Sequence, residues 1–253
     1  MTNDTKKNVL ITGAGSGFGK LCALALAERG HHVIATTETK DQAKSLRVEA
    51  PQLTVKKLDI TSDDVEKVLQ WDVDVLIDNA GAGQTGPIAD IPLERVRHLF
   101  EVNVFGTLAV TQAVLRGMVA QRSGRIIIMS SVAGVLSAPA FGPYAMTKHA
   151  LEAMGKAMRA ELAPLGIDVT LINPGPYLTG FNDRMADSMW EWFGDKSLNG
   201  NEAELFRVIG SFVTTGQRDP AEVVAKLVEL VEAETTSENN FVPADIREQL
   251  NLT

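Results

Sequence analysis

Three side chains in the middle of the chain have the types and spacing of a proton-transfer site. Tyr144 and Lys148 stand four residues apart, and Ser131 precedes them. Helix-forming residues continue to about Leu162, so this spacing places phenol and ammonium on one helical face. A phenol with its ordinary pKa of about 10 is a poor base at neutral pH, and a neighbouring cation is one way to lower that pKa. The pattern predicts that Lys148 stabilises the phenolate of Tyr144, although an isolated pair of this kind is usually surface decoration.

A glycine-rich segment joins the first predicted strand to the first predicted helix. Residues 12–19 read Thr-Gly-Ala-Gly-Ser-Gly-Phe-Gly, a wider-spaced relative of the G-x-G-x-x-G pattern. Glycine permits positive φ and lets the backbone approach a pyrophosphate, and the N-terminus of the following helix offers free N–H groups. The segment therefore favours a phosphate-binding turn over an ordinary tight turn.

Short apolar runs alternate with longer segments of helical pattern along the chain. The runs are nearly continuous in Val, Ile and Leu, as expected for parallel strands covered by helices on both faces. This alternation predicts an α/β fold, a doubly wound Rossmann-type parallel sheet of about seven strands, in a single domain spanning residues 1–253. The predicted strands are residues 8–12, 32–36, 53–58, 73–78, 124–130, 167–172 and 240–242, and the predicted helices are residues 17–29, 40–49, 62–70, 93–120, 144–162 and 219–234.

One segment, residues 179–215, interrupts this alternation. It carries phenylalanines, methionines and two of the three tryptophans among glycines and charges, without a strand pattern. One interpretation is an extra helical hairpin that packs its own small core. The other is a helical substrate lid over an apolar pocket, and we favour it because the segment follows the carboxyl end of the sixth strand, where ligands bind in open α/β sheets.

The composition narrows the classes of function. The net charge of −8 is spread along the chain without a basic run, which argues against nucleic acid or an anionic membrane as partner. The first seven residues lack the apolar core of a signal peptide, and no run approaches the length of a membrane span, so we expect a cytoplasmic enzyme. The single cysteine, Cys22, lies in an apolar helical stretch and is expected to be an inert buried thiol. No cluster has metal-ligand spacing, so we predict no catalytic metal.

Taken in order along the chain, a set of short motifs makes the sequence similar to the short-chain dehydrogenase/reductase family. Each motif alone is weak, whereas the ordered set is specific and covers nearly the whole chain. The 13-residue interval from Ser131 to Tyr144 is familiar in that family and favours Ser131 over Ser130 as the active serine. The motifs are the glycine loop of residues 12–19, Asp78-Asn79-Ala80-Gly81, Asn103, Ser130-Ser131, Tyr144 with Lys148, and Pro174-Gly175 with Thr179.

The resemblance implies a role for each member of the proton-transfer set. Tyr144 exchanges a proton with the substrate oxygen, Ser131 holds that oxygen, and Lys148 hydrogen-bonds the nicotinamide ribose while it lowers the tyrosine pKa. Asn103 orders a water that links Lys148 to solvent. An asparagine inside a helix needs a partner, so a structural kink or capping role is the alternative for Asn103.

The resemblance also implies a nicotinamide dinucleotide, and the end of the second strand bears on which one. Thr37 stands where NAD-preferring members often carry aspartate, and Glu38 stands where NADP-preferring members often carry arginine. A carboxylate repels a 2′-phosphate and Ser16 is not basic, so we favour NAD over NADP. The implied cofactor contacts are Gly13, Ser16, Gly17, Phe18 and Gly19 in the glycine loop, Thr37 and Glu38, Asp59 and Ile60 at the adenine, Asn79, Ala80 and Gly81 along the ribose side, Tyr144 and Lys148, and Pro174, Gly175 and Thr179 around the nicotinamide.

The implied reaction is hydride transfer between the nicotinamide and a small, apolar secondary alcohol or its ketone. A non-catalytic NAD-sensing regulator is disfavoured because the whole Asn, Ser, Tyr and Lys set is present, and a cofactor-independent dehalogenase-type enzyme because the glycine loop is intact. Tyr177 is placed at the substrate cavity or in a packing role, and His98 on a subunit or core surface. The resemblance further implies a homodimer or a homotetramer, and residues 240–245, which depart from the family's glycine-rich ending, leave both open.

Overall fold

The computed structural model describes residues 6–249 and confirms one parallel sheet of seven strands. The strands are β1 (Asn8–Ile11), β2 (His32–Thr37), β3 (Thr54–Lys57), β4 (Val75–Asp78), β5 (Gly124–Met129), β6 (Ile167–Pro174) and β7 (Asn239–Val242). Their order is β3-β2-β1-β4-β5-β6-β7, and every neighbouring pair is parallel. The winding reverses between β1 and β4, whose carboxyl ends therefore border the crevice where ligands bind in such sheets. Residues 1–5, which belong to the segment predicted to lack a signal peptide, lie outside the described residues, as do residues 250–253.

Helices cover both faces of the sheet. They are α1 (Gly17–Glu28), α2 (Lys40–Glu49), α3 (Leu93–Phe100), α4 (Thr107–Gln121), α5 (Gly142–Leu162), α6 (Phe181–Asp187), α7 (Ala203–Thr214), α8 (Ala221–Glu232) and α9 (Ile246–Gln249). α1 and α8 bury Leu26 and Leu227 against one face, and α4 and α5 bury Val110 and Leu151 against the other. Cys22 is part of the first layer, and burial raises the pKa of its thiol to about 12, which fits the inert thiol predicted from the sequence.

Two of the predicted helices take a different form. Residues predicted as a helix over 62–70 form the 3-10 helix Asp63–Gln70. The helix predicted over 93–120 consists of α3 and α4 joined by a π-helical segment, Glu101–Gly106. A π segment accommodates an extra residue in a helical turn, and such segments occur frequently at functional sites.

The continuous helical run Leu93–Gln121 corrects the expectation that no stretch of the chain approaches the length of a membrane span. Its length and mean hydropathy of 1.3 are sufficient for one. Within the run, Val110, Val114 and Met118 lie in the core layer with Leu76 of β4. Packing against the sheet accounts for the apolar composition of this run.

The segment predicted as a lid, residues 179–215, is helical throughout its regular parts and contains no strand among the described residues. It comprises α6, two short 3-10 helices and α7. Phe193 is the centre of an aromatic cluster, with ring centroids 5.4 Å from Phe206 and 5.9 Å from both Trp190 and Trp192. The segment therefore has a small core of its own, as the first interpretation from the sequence required.

Candidate active site

A cavity of about 720 Å³ opens at the carboxyl ends of the strands. The loops after β1, β2, β4, β5 and β6 line it, which is where doubly wound sheets bind their ligands. Of the predicted site residues, only Gly19 and Asn103 are outside the lining. Those in the lining are Gly13, Ser16, Gly17, Phe18, Thr37, Glu38, Asp59, Ile60, Asn79, Ala80, Gly81, Ser131, Tyr144, Lys148, Pro174, Gly175 and Thr179.

The fold brings Ser131, Tyr144 and Lys148 together at one side of this cavity. The two helical side chains are buried on α5, and the Lys148 Nζ lies 5.5 Å from the centroid of the Tyr144 ring. That Nζ donates a 2.8 Å hydrogen bond to the Met129 carbonyl at the end of β5. Ser131 caps the 3-10 turn Val132–Gly134, because its Oγ accepts a 3.1 Å hydrogen bond from the Ala133 N–H.

Burial controls the protonation of both helical side chains. It raises the pKa of the Tyr144 phenol well above its ordinary value, while a hydrogen bond with Ser131 acts in the opposite direction. Burial also lowers the pKa of the Lys148 ammonium to about 8, and the charge of Glu152 opposes this change. That Lys148 lowers the tyrosine pKa stays a prediction. In this structure the ammonium lies over the ring and is bound to a carbonyl, and burial of the phenol is the main influence on its pKa.

Asn103 lies in the π segment and ties three parts of the chain together. Its Oδ1 accepts a hydrogen bond from the Ala82 N–H at 2.7 Å, and its Nδ2 donates to the Ala82 carbonyl at 2.9 Å. The same Nδ2 donates to Thr147 Oγ1, one residue before Lys148, at 3.0 Å. The hydrogen-bond partner that an asparagine inside a helix needs is thus Ala82, in the loop after β4. These bonds correspond to the structural role named as the alternative for Asn103. Ordering of a water by Asn103 stays a prediction.

The glycine loop interlocks with the loop after β4. Gly13 has φ +66°, and a Cβ there would lie 2.7 Å from the Ala80 Cα. A Cβ on Gly19 would lie 2.4 Å from Asn79 Nδ2, which itself donates to the carbonyls of Thr12 at 2.9 Å and Gly13 at 3.1 Å. Gly19 thus allows the glycine loop to pack closely against Asn79 and does not itself line the cavity. Because α1 begins immediately behind this loop, at Gly17, the free N–H groups of its first turn lie at the cavity.

The part of the cavity beside the loops after β2 and β3, called the far end below, carries the carboxylates Glu38 and Asp59. Thr37 is buried and its Oγ1 donates to the Thr39 carbonyl at 3.1 Å, whereas Glu38 is exposed. Hydrogen bonds from the side chain and backbone of Thr61 lower the pKa of Asp59. Among the described residues that line the cavity, the only Lys and Arg are Lys148 and Arg184, and neither belongs to this end.

One residue takes a role that the sequence allowed, one differs from its expected placement and one was not predicted at all. Tyr177 is 1% exposed, packs edge-on against Phe18 and donates from its hydroxyl to Glu222 at 2.9 Å, so it has a packing role at the cavity wall. His98 lines the cavity instead of lying only on a subunit or core surface. The unpredicted residue is Glu152, a buried carboxylate eight residues after Tyr144. Its i,i+4 spacing from Lys148 is the signal that would have found it.

The lid segment supplies the apolar part of the lining. Met185, Ile209, Phe212 and Val213 from α6 and α7 line the cavity. Tyr144 belongs to a small apolar cluster with Met185, and its ring centroid lies 5.9 Å from that of Phe181. Among residues 6–249, no three His, Cys, Asp or Glu side chains are grouped as metal ligands.

Comparison with known sequences places this site in a family. A family profile described as "short chain dehydrogenase" matches residues 7–190. The chain is 39% identical to the uncharacterized oxidoreductase YusZ of Bacillus subtilis over 69% of this chain and 66% of that protein. It is 35% identical to dehydrogenase/reductase SDR family member 7B of Xenopus laevis over 87% of this chain and 74% of that protein. It is 34% identical to the NADPH-dependent 3-dehydrocapnine reductase of Ornithobacterium rhinotracheale over 67% of this chain and 65% of that protein.

Solved structures agree with the sequence comparison. A short-chain dehydrogenase from Streptomyces avermitilis superposes with a TM-score of 0.83 at 30% identity, over 98% of this chain and 92% of that chain. A short-chain dehydrogenase/reductase from Burkholderia phymatum in complex with NAD has a TM-score of 0.81 at 22% identity, over 100% of this chain and 94% of that chain. The second likeness is a likeness of fold.

Proposed function

The chain belongs to the short-chain dehydrogenase/reductase family, and from that premise we propose that it is an NAD-dependent oxidoreductase that interconverts an apolar secondary alcohol and its ketone. One observation carries the proposal. The partly buried Ser131 and the buried Tyr144 and Lys148 share a single cavity with a glycine loop that begins a helix. A proton-transfer group and a phosphate-binding turn in the same cavity are what hydride transfer from a dinucleotide requires.

The glycine loop fits a dinucleotide by shape. Gly13 and Gly17 have φ of +66° and +55°, which side-chain-bearing residues rarely adopt, and a Cβ on Gly13 would collide with the next loop. The backbone is thereby free to approach a pyrophosphate at the start of α1, where Ser16, Gly17 and Phe18 would hold it. Asp59 and Ile60 would contact the adenine, and Thr179 the nicotinamide end.

In the proposed reaction the residues move a proton and hold the reacting oxygen. A bound nicotinamide dinucleotide supplies the hydride acceptor or donor. Tyr144 accepts the hydroxyl proton during oxidation and returns it during reduction. Ser131 binds the substrate oxygen beside the phenol, and Lys148 holds the ribose hydroxyls and places its positive charge at the tyrosine. The raised pKa of Tyr144 keeps the phenol protonated at neutral pH, which is the form required in the reductive direction.

The acidic far end of the cavity supports NAD as the preferred nucleotide. Glu38 lines this end, and no Lys or Arg among the described lining residues accompanies it there. A 2′-phosphate would meet the carboxylate of Glu38, and the neighbouring ammonium of Lys57 is already paired with Asp64. The relative named as NADPH-dependent makes NADP the alternative to measure. The test is kcat/KM for each nucleotide, and a higher value with NADP would show that Glu38 does not govern the choice.

The lining between α6 and α7 supports an apolar substrate and a lid role for residues 179–215. Met185, Ile209 and Val213 face the same cavity as Tyr144. Among the described residues that line the cavity, Arg184 of α6 is the one Lys or Arg besides Lys148. A homodimer or homotetramer in the cytoplasm stays our expectation, and light scattering of the purified protein measures the assembly.

Absorbance at the reduced-nicotinamide band tests the proposed function directly. Cyclohexanol, menthol and their ketones are screened with NAD(H) and NADP(H), using wild type and Tyr144→Phe. Turnover by wild type and its loss in the variant are expected. Turnover that persists in the variant would overturn the mechanism. Fluorescence-detected NADH binding without any turnover would favour the sensing regulator, and a lack of NADH binding would reject both.

A further inference from the structure

The carboxylate of Glu152 is 4% exposed and lies one turn beyond Lys148 on α5. Its Oε1 accepts 2.6 Å hydrogen bonds from both Ser130 Oγ and Asn173 Nδ2. Its Oε2 accepts a 2.7 Å hydrogen bond from Asn239 Nδ2. An ionised carboxylate only accepts hydrogen bonds, so it satisfies three converging donors without leaving a proton unpaired.

Two of these donors connect Glu152 to Ser131. Ser130 is its neighbour in the chain, and Asn173 Nδ2 also donates to the Ser131 carbonyl at 3.2 Å. The space around the hydrogen bond between Ser130 and Glu152 is filled, because a Cβ on Gly134 would lie 2.6 Å from Ser130 Oγ and 2.9 Å from the Glu152 Cγ. The carboxylate therefore fixes the backbone on both sides of the serine whose hydroxyl faces the cavity.

The charge of the same carboxylate acts on Lys148, four residues earlier on α5. Lys148 and Glu152 reach two consecutive residues at the end of β5, since the lysine donates to the carbonyl of Met129, the last residue of β5, and the glutamate accepts from Ser130, which follows it. Burial lowers the pKa of the Lys148 ammonium to about 8, and the charge of Glu152 counters this. The other ionisable groups facing this pair are the Tyr144 phenol and Lys156, whose Nζ is 3.7 Å from Glu152 Oε2 and half exposed.

We propose that Glu152 is a positioning residue of the active site: it holds Ser131 through Ser130 and Asn173, and it balances the charge of Lys148 from within the fold. This inference rests on the proposed function. It adds a carboxylate to the Ser131, Tyr144 and Lys148 group, placed outside the cavity lining. One buried carboxylate then couples the serine that follows β5 to the lysine on α5.

A purely structural role is the competing explanation, because Asn239 of β7 donates to both Glu152 and Asn173 Oδ1 and could simply join the strands. The two roles differ in what the loss of charge does. If Glu152 only joins strands, its neutral isostere changes stability and leaves the titration of Lys148 unchanged. If it balances the ammonium, the isostere makes Lys148 lose its proton at lower pH.

The direct measurement is the titration of Lys148 by NMR of protein labelled with 13C at lysine Cε. The Lys148 signal is assigned by its absence in Lys148→Met. We expect a wild-type midpoint near pH 8, a midpoint lower by about one pH unit in Glu152→Gln, and no change in Glu161→Gln. Glu161 is the matched control because it is an exposed glutamate on the same helix. Equal midpoints in Glu152→Gln and wild type would overturn the proposal.

Kinetics with the alcohol that wild type oxidises fastest provide the second readout. In Glu152→Gln we expect kcat to fall about ten- to a hundred-fold and the alkaline limb of its pH profile to move down with the lysine midpoint. The Kd for NADH at pH 6 should stay within about two-fold, because Lys148 is protonated there in both proteins. An unchanged kcat and alkaline limb would contradict the proposal.

If Glu152→Gln lacks a cooperative unfolding transition and so does not fold, a second variant tests the proposal. Ser130→Ala removes one donor and keeps the charge, so we expect kcat to fall several-fold while the Lys148 midpoint stays at its wild-type value. Wild-type kcat in Ser130→Ala would then overturn the proposal. Failure of the proposed function looks different, because wild type itself would show no turnover while the NMR comparison of Lys148 could still be made.

Discussion

Two parts of the cavity, the Tyr144 end and the end lined by the lid segment, are built from different kinds of side chain. At the Tyr144 end, Lys148 is 4% exposed and Asn103 is 1% exposed, and hydrogen bonds hold the first to β5 and the second to the loop after β4. At the lid end, the lining consists of apolar side chains from α6 and α7, and Phe212 is 71% exposed. The first end is rigid because buried polar groups must keep their partners. The second end depends on non-directional apolar contact.

This difference assigns chemistry to one end and selection to the other. A shift of a buried, hydrogen-bonded group leaves donors or acceptors unpaired, which costs far more than the loss of an apolar contact at the surface. Substitutions at the Tyr144 end should therefore change kcat or stability strongly. Substitutions on the cavity side of α7 should change KM modestly and leave the fold intact.

The largest expected effect is that of removing the serine hydroxyl. We expect Ser131→Ala to lower kcat about 10³-fold, because the substrate oxygen loses a positioned donor. The free energy of unfolding should fall by only about 1 kcal/mol, from loss of the cap to the Ala133 N–H. The measurements are steady-state kinetics and urea unfolding, with exposed Ser123→Ala as the control that retains wild-type kcat. A kcat within ten-fold of wild type would remove Ser131 from the mechanism.

The rigid end also contains a carboxyl group that lacks the support given to Glu152. Asp78 is buried at the end of β4, its Oδ2 accepts from Thr111 Oγ1 at 2.7 Å, and its Oδ1 has no hydrogen-bond partner. Burial raises the pKa of Asp78 from 3.8 to about 7. Stability from this group is therefore complete below pH 4 and is lost as the pH rises through 7, by roughly 4 kcal/mol.

Asp78→Asn tests this pH dependence. The neutral side chain should remove the loss, so the variant gains stability relative to wild type between pH 4 and pH 8 by roughly 4 kcal/mol. Urea unfolding at a series of pH values measures it, and Asp195→Asn, at an exposed position, should follow wild type throughout. Parallel stability curves for wild type and Asp78→Asn would show that Asp78 is ionised in the folded protein.

The sequence was sufficient for the sheet because the signals for it are local. Runs of Val, Ile and Leu such as the one in β5 mark strands buried on both faces, and the positions of the glycines mark the turn before α1. The lid end was also visible as an interruption of the alternation. Its internal cluster around Phe193 and its apolar cavity lining, offered as competing interpretations, are both present.

The details of the rigid end were not accessible from the sequence because they depend on distant partners. The π segment contains Asn103, whose hydrogen bonds go to Ala82, 21 residues earlier. Glu152 accepts hydrogen bonds from Ser130, Asn173 and Asn239, and the last of these is 87 residues away in the chain. The pKa of Tyr144 depends on burial, which spacing along a helix does not reveal. Local pattern predicts elements, whereas burial decides the protonation of the groups they carry.

The interlocking of the glycine loop provides a prediction of intermediate size. Gly19→Ala should lower the free energy of unfolding by about 2 kcal/mol and weaken NADH binding at least about ten-fold, because its Cβ would lie 2.4 Å from Asn79 Nδ2 and 2.7 Å from the Gly13 carbonyl. Gly117→Ala is the matched control, since a Cβ there meets nothing within 4 Å and alanine favours α4 by up to about 1 kcal/mol. Wild-type stability in Gly19→Ala would mean that the two loops can separate.

The smallest expected effect lies at the lid end, where one helix carries both the variant and its control. Phe212 lines the cavity although it is 71% exposed, whereas Leu205 on α7 is 50% exposed and outside the lining. We expect Phe212→Ala to raise KM for menthol about five-fold, the loss of part of an apolar contact, with kcat and the melting temperature unchanged. Leu205→Ala should leave all three at wild-type values. Since the Tyr144 end does not depend on α7 for its hydrogen bonds, a fall in kcat in Phe212→Ala would show that the two ends are coupled and that the lid takes part in assembling the reactive geometry.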